Sequence, residues 1–456
     1  MNAQNLIKKQ KELFKTGITR DIKYRIDALN RLYNAIEKYE ADIMEAIYLD
    51  FSKPKEETYI TEITAVKLEL KSFIKNLKKY AKTRKVTTSL INFPSRGYIV
   101  PEPRGVALVI SPWNYPVNLA LTPVIGSIAA GNCTVIKLSE YVPNTNAVLK
   151  KIVDEAFAEG YVSIVEGAAN ETISLIDQGV DYVFFTGSTS VGKLVMAQCS
   201  KNITPVTLEL GGKSPCIVDS SADIKVAAKR IVFGKYINAG QTCVAPDYIL
   251  VESKVKDMLV AEIIASIKEM YYVNGELTQK FCHIIHPKAV DRLASMLDGS
   301  NILFGGKVNL ERNIIEPTVT EVKDMESSVM QAEIFGPILP ILAVDTVDKA
   351  VEIVQSIDKP LALYIFSKNK KNIDKVMQET SSGGVAINDT IMHIVEKNLP
   401  FGGVGSSGIG SYHGEASFNT FSHFRSVLKK SLAIDIKLRY SPHINKLVKY
   451  ISKNTI

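Results

Sequence analysis

The sequence is poor in the features that mark secreted and membrane proteins. Its 456 residues include only five cysteines, without regular spacing, and a single tryptophan. No apolar run approaches the roughly 20 residues that a membrane-spanning helix needs, and the Lys-rich start of the chain lacks the apolar core of a signal peptide. Few and irregularly spaced cysteines are typical of reduced thiols in the cytosol. We therefore expect a cytoplasmic protein without a spanning helix.

The chain also lacks a concentrated charge of one sign. It carries 55 basic and 48 acidic residues, a net charge of +7, and the two signs are interspersed. A nucleic-acid-binding protein needs a concentrated basic patch, so we expect no nucleic-acid partner. The hydrophobic fraction of 46%, in a chain of this length, is typical of about two to three soluble domains.

Short apolar runs alternate with helical stretches after a helical region of about 80 residues. This alternation is the signature of βαβ units and parallel sheets. It restarts after Leu210, which predicts two α/β domains that meet at a cleft. The predicted strands are 105–110, 133–137, 162–165, 182–185, 215–219, 248–252, 338–344, 361–366 and 384–387.

Two segments depart from this pattern. Residues 82–104, broken by Pro94 and Gly97, predict two extended strands that project from the body. The Gly-rich segment 401–410 predicts either a flexible linker or a loop whose backbone approaches another group closely.

Cys243 is the first candidate for chemistry. It lies among small and turn-forming residues in Asn-Ala-Gly-Gln-Thr-Cys-Val-Ala-Pro-Asp (238–247), without a second cysteine at metal-ligand spacing. A thiolate is a strong nucleophile that forms covalent intermediates. A free cysteine is more often an inert buried side chain, so the other candidates decide between these interpretations.

Two polar residues near predicted strand ends are further candidates. Glu209 ends an apolar run before two glycines; burial would raise its pKa toward neutrality, as suits a general base, whereas a solvent-facing strand end would not. Asn114 follows the only tryptophan, where its amide either donates to an oxyanion or closes an Asx turn before Pro116.

The turn after residues 182–185 predicts an anion site at a helix N-terminus. Residues 187–193 match most of a P-loop, but Leu194 stands where the magnesium-binding hydroxyl belongs. Thr189 breaks the dinucleotide fingerprint. These residues predict either a nucleotide site of undecided type or a plain strand-to-helix turn.

Together the segments resemble the aldehyde dehydrogenase superfamily, from the N-terminal helices to about residue 440. The chain length, Cys243-Val-Ala-Pro-Asp and the segment 411–423 are similar to its class 3 branch, which includes fatty-aldehyde and aromatic-aldehyde dehydrogenases. The blocks that carry the resemblance are Ser-Pro-Trp-Asn (111–114), Lys137 with Ser139-Glu140, Phe185-Thr-Gly-Ser-Thr with Val191-Gly192, Glu209-Leu-Gly-Gly-Lys213, Gly240-Gln-Thr-Cys243, Glu333-Ile-Phe-Gly-Pro337 and Pro400-Phe-Gly-Gly-Val-Gly405.

The resemblance implies an α/β fold with a Rossmann-like cofactor domain, an α/β catalytic domain and a β-strand oligomerisation arm. The implied bounds are 1–81 and 105–208 for the NAD(P)-binding domain, 209–398 for the catalytic domain, 82–104 and 412–440 for the arm, and 441–456 for a basic amphipathic tail.

The resemblance also implies a role for each candidate. Cys243 would attack an aldehyde to give a thiohemiacetal, with the oxyanion held by the Asn114 amide and the Cys243 N–H. After hydride transfer to nicotinamide, Glu209 would activate water to hydrolyse the thioester to an acid. The implied cofactor contacts are Lys137, Glu140, Gly187, Ser188, Gly192, Glu333 and Phe335.

The same resemblance bears on the cofactor and the substrate. Because Glu140 would repel a 2′-phosphate, we expect NAD, with NADP as the alternative since class 3 enzymes can use either. The tunnel residues are mostly apolar and include no cation, which predicts lipophilic aliphatic or aromatic aldehydes. By position in the class 3 pattern, the tunnel residues are Tyr115, Phe233, Ile237, Thr242, Ile391 and Ile394.

Two alternatives to this activity remain. An acylating dehydrogenase would pass the thioester to coenzyme A or phosphate and would not need Glu209 to activate water. A catalytically silent relative would bind NAD as a structural protein, but the presence of Cys243, Glu209 and Asn114 together argues against it.

The remaining signals concern metals and partners. Cys282, His283 and His286 are too few donors for a metal site, so we expect none. The exposed strands of the arm predict a homodimer. The tail predicts a basic amphipathic helix that lies on an anionic membrane or packs on a partner subunit, or else a frayed terminus. Its apolar and basic positions are Ile444, Leu447, Val448, Ile451, Lys446, Lys449 and Lys453.

Overall fold

The computed structural model describes residues 2–89, 92–435, 440–441 and 444–454. Positions 90–91 and 436–439 of the predicted arm lie outside the described residues, as do 442–443 and 455–456 of the predicted tail. The side chains of Lys446, Leu447 and Ile451 also lie outside them.

The helices are α1 Ala3–Lys15, α2 Ile22–Lys38, α3 Glu40–Phe51, α4 Lys55–Thr58, α5 Ala65–Tyr80, α6 Asn118–Ala130, α7 Pro143–Ala156, α8 Ala169–Asp177, α9 Thr189–Ser200, α10 Ile224–Tyr236, α11 Lys256–Tyr271, α12 Pro287–Ser295, α13 Val347–Gln355, α14 Lys370–Glu379, α15 Glu415–Thr420 and α16 Ile444–Asn454. A π-helical turn, Tyr59–Thr64, joins α4 to α5.

The strands are β1 Arg84–Val86, β2 Ser95–Pro103, β3 Val106–Ile110, β4 Cys133–Lys137, β5 Val162–Val165, β6 Tyr182–Thr186, β7 Val206–Glu209, β8 Pro215–Val218, β9 Tyr248–Glu252, β10 Tyr272–Val273, β11 Glu276–Leu277, β12 Asn301–Phe304, β13 Val308–Asn309, β14 Ile314–Ile315, β15 Thr318–Val322, β16 Ile338–Val344, β17 Ala362–Phe366, β18 Gly384–Ile387, β19 Gly408–Ile409 and β20 Ser422–Lys430.

The N-terminal helices form because capping and apolar spacing agree. The Asp21 carboxylate accepts the Tyr24 N–H at 2.7 Å and caps α2, which satisfies one of the free N–H groups of the first turn. Leu29, Leu32 and Ile36, at helical spacing on α2, are fully buried. This confirms the helical start predicted from the sequence.

The first large sheet has the order β19-β7-β6-β3-β4-β5. Strands β3 to β7 are parallel, and β19 runs antiparallel to β7. From β3 the chain passes to β4 and β5 on one side, then returns through α8 to β6 on the other side. The carboxyl ends of β3 and β6 therefore flank a switch point of strand order, where α/β sheets bind ligands.

The second large sheet has the order β12-β15-β16-β9-β8-β17-β18, and only β12 is antiparallel to its neighbour. The two parallel sheets confirm the predicted α/β fold. Sequence reasoning did not predict β15, in which the polar residues Thr318 and Thr320 occupy fully buried positions. Its apolar alternation is therefore weak, although the strand lies inside the sheet.

The chain divides into two compact units. One contains the residues up to Tyr80 together with Pro103–Ser422, and the other contains Ala81–Glu102 and the residues from His423 on. In the second unit, β1, β2 and β20 form a three-stranded sheet. The arm inferred from the sequence resumed at 412, whereas 412–422 lie in the first unit. The division into functional domains remains a prediction.

The Gly-rich segment 401–410 is tightly packed. A Cβ on Gly402 would lie 2.1 Å from the Gly410 oxygen, and one on Gly403 would lie 2.0 Å from the Ser407 oxygen. Within the segment, β19 pairs Gly408 with Glu209. Close backbone approach, rather than a flexible linker, accounts for these glycines.

No helix among the described residues is long and apolar enough to cross a membrane. All five cysteines are free thiols.

Candidate active site

Four predicted site residues lie at the carboxyl edge of the first sheet. Asn114 follows β3, Lys137 ends β4, Gly187 follows β6 and Glu209 ends β7. Because these strands are parallel and adjacent, their carboxyl ends meet at one edge of the sheet. Residues that are far apart in the sequence are thereby brought together.

Cys243 lies in a loop of unusual backbone conformation after α10. Asn238 and Ala239 adopt left-handed conformations, with φ of 55° and 52°. At Gly240, with φ of 73°, a Cβ would lie 2.3 Å from the Gly336 carbonyl oxygen. A left-handed alanine costs about 1–2 kcal/mol, and such strain persists where the surrounding structure fixes the backbone, often at functional sites.

Two side-chain amides join this loop to Asn114. Nδ2 of Asn238 donates to the Asn114 carbonyl at 2.9 Å and to the Gln241 carbonyl at 3.1 Å. Nδ2 of Asn114 donates to the same Gln241 carbonyl at 3.0 Å. An amide nitrogen carries two protons, so the Asn114 amide is held beside the cysteine loop with one proton left for an oxyanion.

The Gln241 side chain fixes the loop from the other side. Its Nε2 donates to the carbonyls of Asn238 at 3.1 Å and His283 at 3.0 Å, and its Oε1 accepts the Ile285 N–H at 3.0 Å. All three of these bonds join the Gln241 amide to backbone groups. They explain why a glutamine occupies the position two residues before Cys243.

Two carboxyl groups act electrostatically on the Cys243 thiol. Burial, followed by Glu333 and Glu209, raises the pKa of Cys243 to about 12, while the N–H groups of Cys243 and Val244 act in the opposite direction. A thiol with such a pKa is protonated at neutral pH, and the thiolate is the nucleophile. A nearby base is therefore needed to take up its proton.

Glu209 has the properties of such a base. Its side chain is 1% exposed, and neither carboxyl oxygen has a hydrogen-bond partner within the described part of the chain. Burial raises the pKa of Glu209 well above its ordinary value, as predicted from its apolar strand. A buried carboxyl with raised pKa and free oxygens can exchange protons near neutral pH.

A buried ion pair positions the loop that contains Glu333. Nζ of Lys213 donates to Oδ2 of Asp247 at 2.5 Å and to the Ala332 carbonyl at 2.9 Å. Oδ1 of Asp247 accepts the Ile334 N–H at 3.0 Å. Because both charges are buried and paired, the backbone on both sides of Glu333 is fixed.

The Glu333 carboxyl and the Phe335 ring face the same edge. A Cβ on Gly211 would lie 2.2 Å from Oε2 of Glu333, so the carboxyl lies directly against the Gly211 backbone. Burial and Asp247 raise the pKa of Glu333 to about 8. The ring of Phe335 packs edge-on against Trp113, with centroids 5.6 Å apart.

The predicted cofactor residues fit a dinucleotide. Gly187 and Ser188 immediately precede α9, and Oγ of Ser188 accepts the Val191 N–H at 3.4 Å. The N-terminus of a twelve-residue helix supplies free N–H groups and a positive dipole end to a phosphate. At Gly192, a Cβ would lie 2.6 Å from Cδ2 of Leu210, so a larger residue there would have to displace the Leu210 side chain.

Lys137 and Glu140 form a second part of this fit. Lys137 is 5% exposed, and its Nζ lies 3.6 Å from Oε2 of Glu140. The ammonium group can donate to hydroxyl groups, whereas the Glu140 carboxylate accepts from them.

The predicted tunnel residues are only partly brought together. The hydroxyls of Tyr115 and Thr242 are hydrogen-bonded at 2.7 Å. A Cβ on Gly234, next to Phe233 on α10, would lie 3.5 Å from Cγ2 of Ile391. Ile237 and Ile391 are each 7% exposed and Phe233 is 42% exposed. Ile394 is the last residue of a 3-10 turn, and its backbone carbonyl contacts the His413 side chain.

Residues that were candidates for a metal site have other contacts. Sγ of Cys282 lies 3.6 Å from the Phe51 carbonyl and from Oδ1 of Asn238. Nδ1 of His286 accepts the Ala289 N–H at 3.0 Å and caps α12. No group of three or more His, Cys, Asp or Glu side chains suited to a metal occurs in the part of the chain that the structure describes.

A model of the aldehyde dehydrogenase family matches residues 1–427. The chain belongs to the aldehyde dehydrogenase family. A 4,4'-diaponeurosporen-aldehyde dehydrogenase of Staphylococcus aureus (strain NCTC 8325 / PS 47) is 47% identical over 443 residues, which cover 97% of this chain and 96% of that protein. Aldehyde dehydrogenase family 3 member A2 of Rattus norvegicus is 43% identical over 439 residues, 96% of this chain and 91% of that protein.

A solved structure, the substrate-bound state of Staphylococcus aureus AldH, matches with a TM-score of 0.97 and 45% identity, and 100% of each chain is covered. These likenesses confirm the predicted fold and the class 3 resemblance. The protein is a class 3-type aldehyde dehydrogenase that oxidises an aldehyde with NAD or NADP.

Sequence reasoning missed several residues that build this aldehyde dehydrogenase site. Asn238 and Gln241 lie within the cysteine motif, but a single sequence does not show that their amides join two loops. Lys213 and Asp247 lie within the recognised blocks and pair only because β8 and β9 are adjacent. Glu57, whose carboxylate contacts the cysteine loop, carries no signal that separates it from a solvated helix residue.

Proposed function

We propose that this aldehyde dehydrogenase converts a lipophilic aldehyde, medium- or long-chain aliphatic or aromatic, to the carboxylic acid. Cys243 is the nucleophile, Asn114 the oxyanion donor and Glu209 the base. The observation that carries this assignment is the buried Glu209 carboxyl, without a partner among the described residues and within electrostatic reach of the Cys243 thiol.

The first step is attack by sulfur on the aldehyde carbon. Glu209 takes the Cys243 proton, the C–S bond forms, and the carbonyl oxygen becomes an oxyanion. The second Asn114 amide proton and the Cys243 N–H stabilise that charge, and each such donor contributes a factor of about 10²–10³ in rate. The bonds from Asn238 and Gln241 hold these donors in place before substrate arrives.

The second half of the reaction releases the acid. A bound oxidised nicotinamide would supply the acceptor for the hydride that leaves the aldehyde carbon. Glu209 releases the proton from Cys243 to solvent and then takes a proton from water, whose oxygen attacks the thioester carbonyl. The C–S bond breaks to release the acid, and Glu209 returns its proton to the sulfur of Cys243. Glu333 and Phe335 would hold the nicotinamide end, and Gly187, Ser188 and Gly192 the diphosphate.

NAD is the proposed cofactor, with NADP as the alternative. Lys137 and Glu140 would meet the adenosine ribose, and the Glu140 carboxylate would repel a 2′-phosphate. The ion pair with Lys137 offsets part of this charge, so the preference should be one of degree. Replacement of Glu140 by glutamine should lower the ratio of NAD to NADP efficiency, and an unchanged ratio would contradict the assignment.

The substrate class rests on the tunnel residues and on one relative. The side chains of Ile237 and Ile391 are apolar, and the tunnel set contains no cation that would select an acidic aldehyde. The name of the Staphylococcus aureus relative gives 4,4'-diaponeurosporen-aldehyde as its substrate. We therefore expect a higher kcat/KM for decanal than for succinic semialdehyde.

The experiment is NADH production by purified protein with NAD and an aldehyde panel. The panel contains decanal, a long-chain aldehyde, benzaldehyde, 4,4'-diaponeurosporen-aldehyde and succinic semialdehyde, with Cys243→Ala alongside and Cys282→Ala as a cysteine control. Loss of NADH in Cys243→Ala alone supports the nucleophile. A preference for succinic semialdehyde would overturn the substrate class. A parallel reaction contains coenzyme A, and formation of acyl-coenzyme A there would mean that the thioester is passed to coenzyme A and not to water.

We also propose a homodimer formed through the second unit. The nine-residue β20 is an edge of its three-stranded sheet and is mostly not buried. Such an edge pairs readily with another chain. Light scattering should give the mass of a dimer, and Ser426→Pro in β20 should shift it toward monomer; a monomeric parent protein would refute this.

Contact between α16 and an anionic membrane surface is a second proposed interaction. Ile444 and Val448 are 46% and 57% exposed and lie four residues apart on the helix, with the exposed Lys449 and Lys453 nearby. We place the enzyme in the cytoplasm, with this helix as its contact. Sedimentation with anionic liposomes at low salt should be lost in Lys449→Glu/Lys453→Glu; no binding by the parent protein would refute it.

A further inference from the structure

A charged cluster in which two of the three side chains are fully buried connects the N-terminal helices to the active site. It consists of Lys53, Glu57 and Glu62, between the end of α3 and the π-helical turn. Lys53 and Glu62 are fully buried, and Nζ of Lys53 lies 3.2 Å from Oε1 of Glu62. Lysine and glutamate are rarely buried completely, so their burial here needs an explanation.

The two carboxylates hold the two loops of the site. Oε2 of Glu62 accepts the N–H groups of Val117 at 3.1 Å and Asn118 at 2.8 Å, in the segment that leads from Asn114 into α6. Oε1 of Glu57 accepts the N–H of Asn238 at 2.8 Å, the first left-handed residue of the cysteine loop. One carboxylate therefore fixes each loop.

Lys53 makes a third connection. Its Nζ lies 4.0 Å from the centre of the Tyr115 ring, within the range of a cation–π contact. The Tyr115 hydroxyl is hydrogen-bonded to Oγ1 of Thr242 at 2.7 Å, next to Cys243. The cation thus faces both Glu62 and an aromatic side chain that contacts the cysteine loop.

Removal of the charges of this cluster from water opposes folding. Burial raises the pKa of Glu57 and of Glu62, while Lys53 acts in the opposite direction on both. Apolar side chains of the same volume often stabilise a core as well as a buried ion pair does. Its acceptor oxygens, however, hold backbone N–H groups in two separate loops, which apolar side chains cannot do.

We propose that Lys53, Glu57 and Glu62 are positioning residues that set the Asn114 amide and the Cys243 N–H at the spacing required by the oxyanion. This inference rests on the proposed roles of Asn114 and Cys243. In this assignment none of the three contacts substrate or reacting atoms. They act through Asn238 and Asn118, and the distance between two donors that belong to different loops depends on them.

The test uses Glu57→Ala, which removes the acceptor for Asn238, and Glu57→Gln, which keeps an oxygen without the charge. A misplaced donor reduces rate by up to about a hundredfold, so Glu57→Ala should lower kcat for aldehyde oxidation by about tenfold to a hundredfold. Cofactor-independent hydrolysis of p-nitrophenyl acetate, which needs the same oxyanion donors, should fall in parallel. Glu57→Gln should recover most of both rates, and the Kd for NAD should stay within about twofold.

The matched control is Glu56→Gln, at the residue that precedes Glu57 in α4. Glu56 is exposed and pairs with Lys280 at 2.7 Å, so this variant should retain the parent rates. Lys53→Met leaves carboxylates unpaired and can fail to fold. The comparison of Glu57→Ala with Glu57→Gln therefore tests the inference. Unfolding in urea checks that each variant is folded at the assay temperature.

A double-mutant cycle separates positioning from general loss of structure. In an Asn114→Ala background, Glu57→Ala should lower kcat less than it does in the parent, because one of the two donors whose spacing it sets is already absent. Full additivity, or equal losses in Glu57→Ala and Glu57→Gln, would overturn the inference. If Cys243→Ala retained aldehyde oxidation, the proposed function itself would fail, and this outcome does not depend on the Glu57 variants.

Discussion

Replacement of Glu209 by glutamine should make the enzyme slower and more stable at once. The carboxyl is 1% exposed and has no partner among the residues described. A general base contributes a factor of about 10²–10⁴, which corresponds to about 3–5 kcal/mol of barrier. Glutamine cannot take a proton from Cys243 or from water, so both the formation and the hydrolysis of the thioester on Cys243 should slow.

The stability effect follows from the raised pKa of Glu209. The unfolded carboxyl loses its proton near its ordinary pKa of about 4.3, whereas the folded group keeps it to a higher pH. The folded state therefore binds more protons, and stability falls by about 1.4 kcal/mol per pH unit between the two pKa values. Glutamine lacks this loss, so the variant should become relatively more stable as pH rises above about 4.3.

Two assays check this prediction. Rapid mixing with NAD and aldehyde should show that the variant forms the first equivalent of NADH more slowly than the parent and then turns over slowly, and mass spectrometry should follow the acyl group on Cys243. Urea unfolding at about pH 5 and about pH 8 should show the advantage of the variant growing with pH. A kcat within about threefold of the parent, or a stability difference independent of pH, would refute the reasoning.

Three further predictions concern charged groups around the site. Because burial raises the pKa of Cys243 to about 12, its alkylation by iodoacetamide in cofactor-free enzyme should still accelerate at about pH 10, and a plateau below about pH 8 would contradict this. Because the pKa of Glu333 is raised to about 8, NAD affinity measured by fluorescence should increase from about pH 7 to 9 as its carboxylate forms, and Glu333→Gln should abolish this increase. An equal dependence of NAD affinity on pH in the parent and in Glu333→Gln would contradict the role of Glu333 in NAD binding. Lys213→Met leaves Asp247 buried and unpaired, so the free energy of unfolding in urea should fall by about 3–5 kcal/mol. Lys349→Met, in an exposed pair, should cost less than about 1 kcal/mol, and similar losses would contradict the buried pairing.

The predictable part of the site consists of residues whose chemistry is local. Cys243 lies among small residues, and Glu209 ends an apolar run. The residues next to each in the sequence therefore indicate the reactivity of Cys243 and the burial of Glu209. The strand ends after 110, 137 and 185 are visible because a parallel strand buried on both faces is continuously apolar. Their common edge then follows from the rules of α/β connection.

The sequence by itself determined the α/β alternation, the family blocks and the identity of the reacting groups, because each depends on residues close together in the chain. Tertiary structure alone decided which distant groups hold them. Glu57 reaches Asn238 across 181 positions, and Lys213 meets Asp247 across 34. Such contacts depend on which helices and strands become neighbours in the fold. The sequence does not distinguish a charged helix residue that faces water from one that holds a second loop.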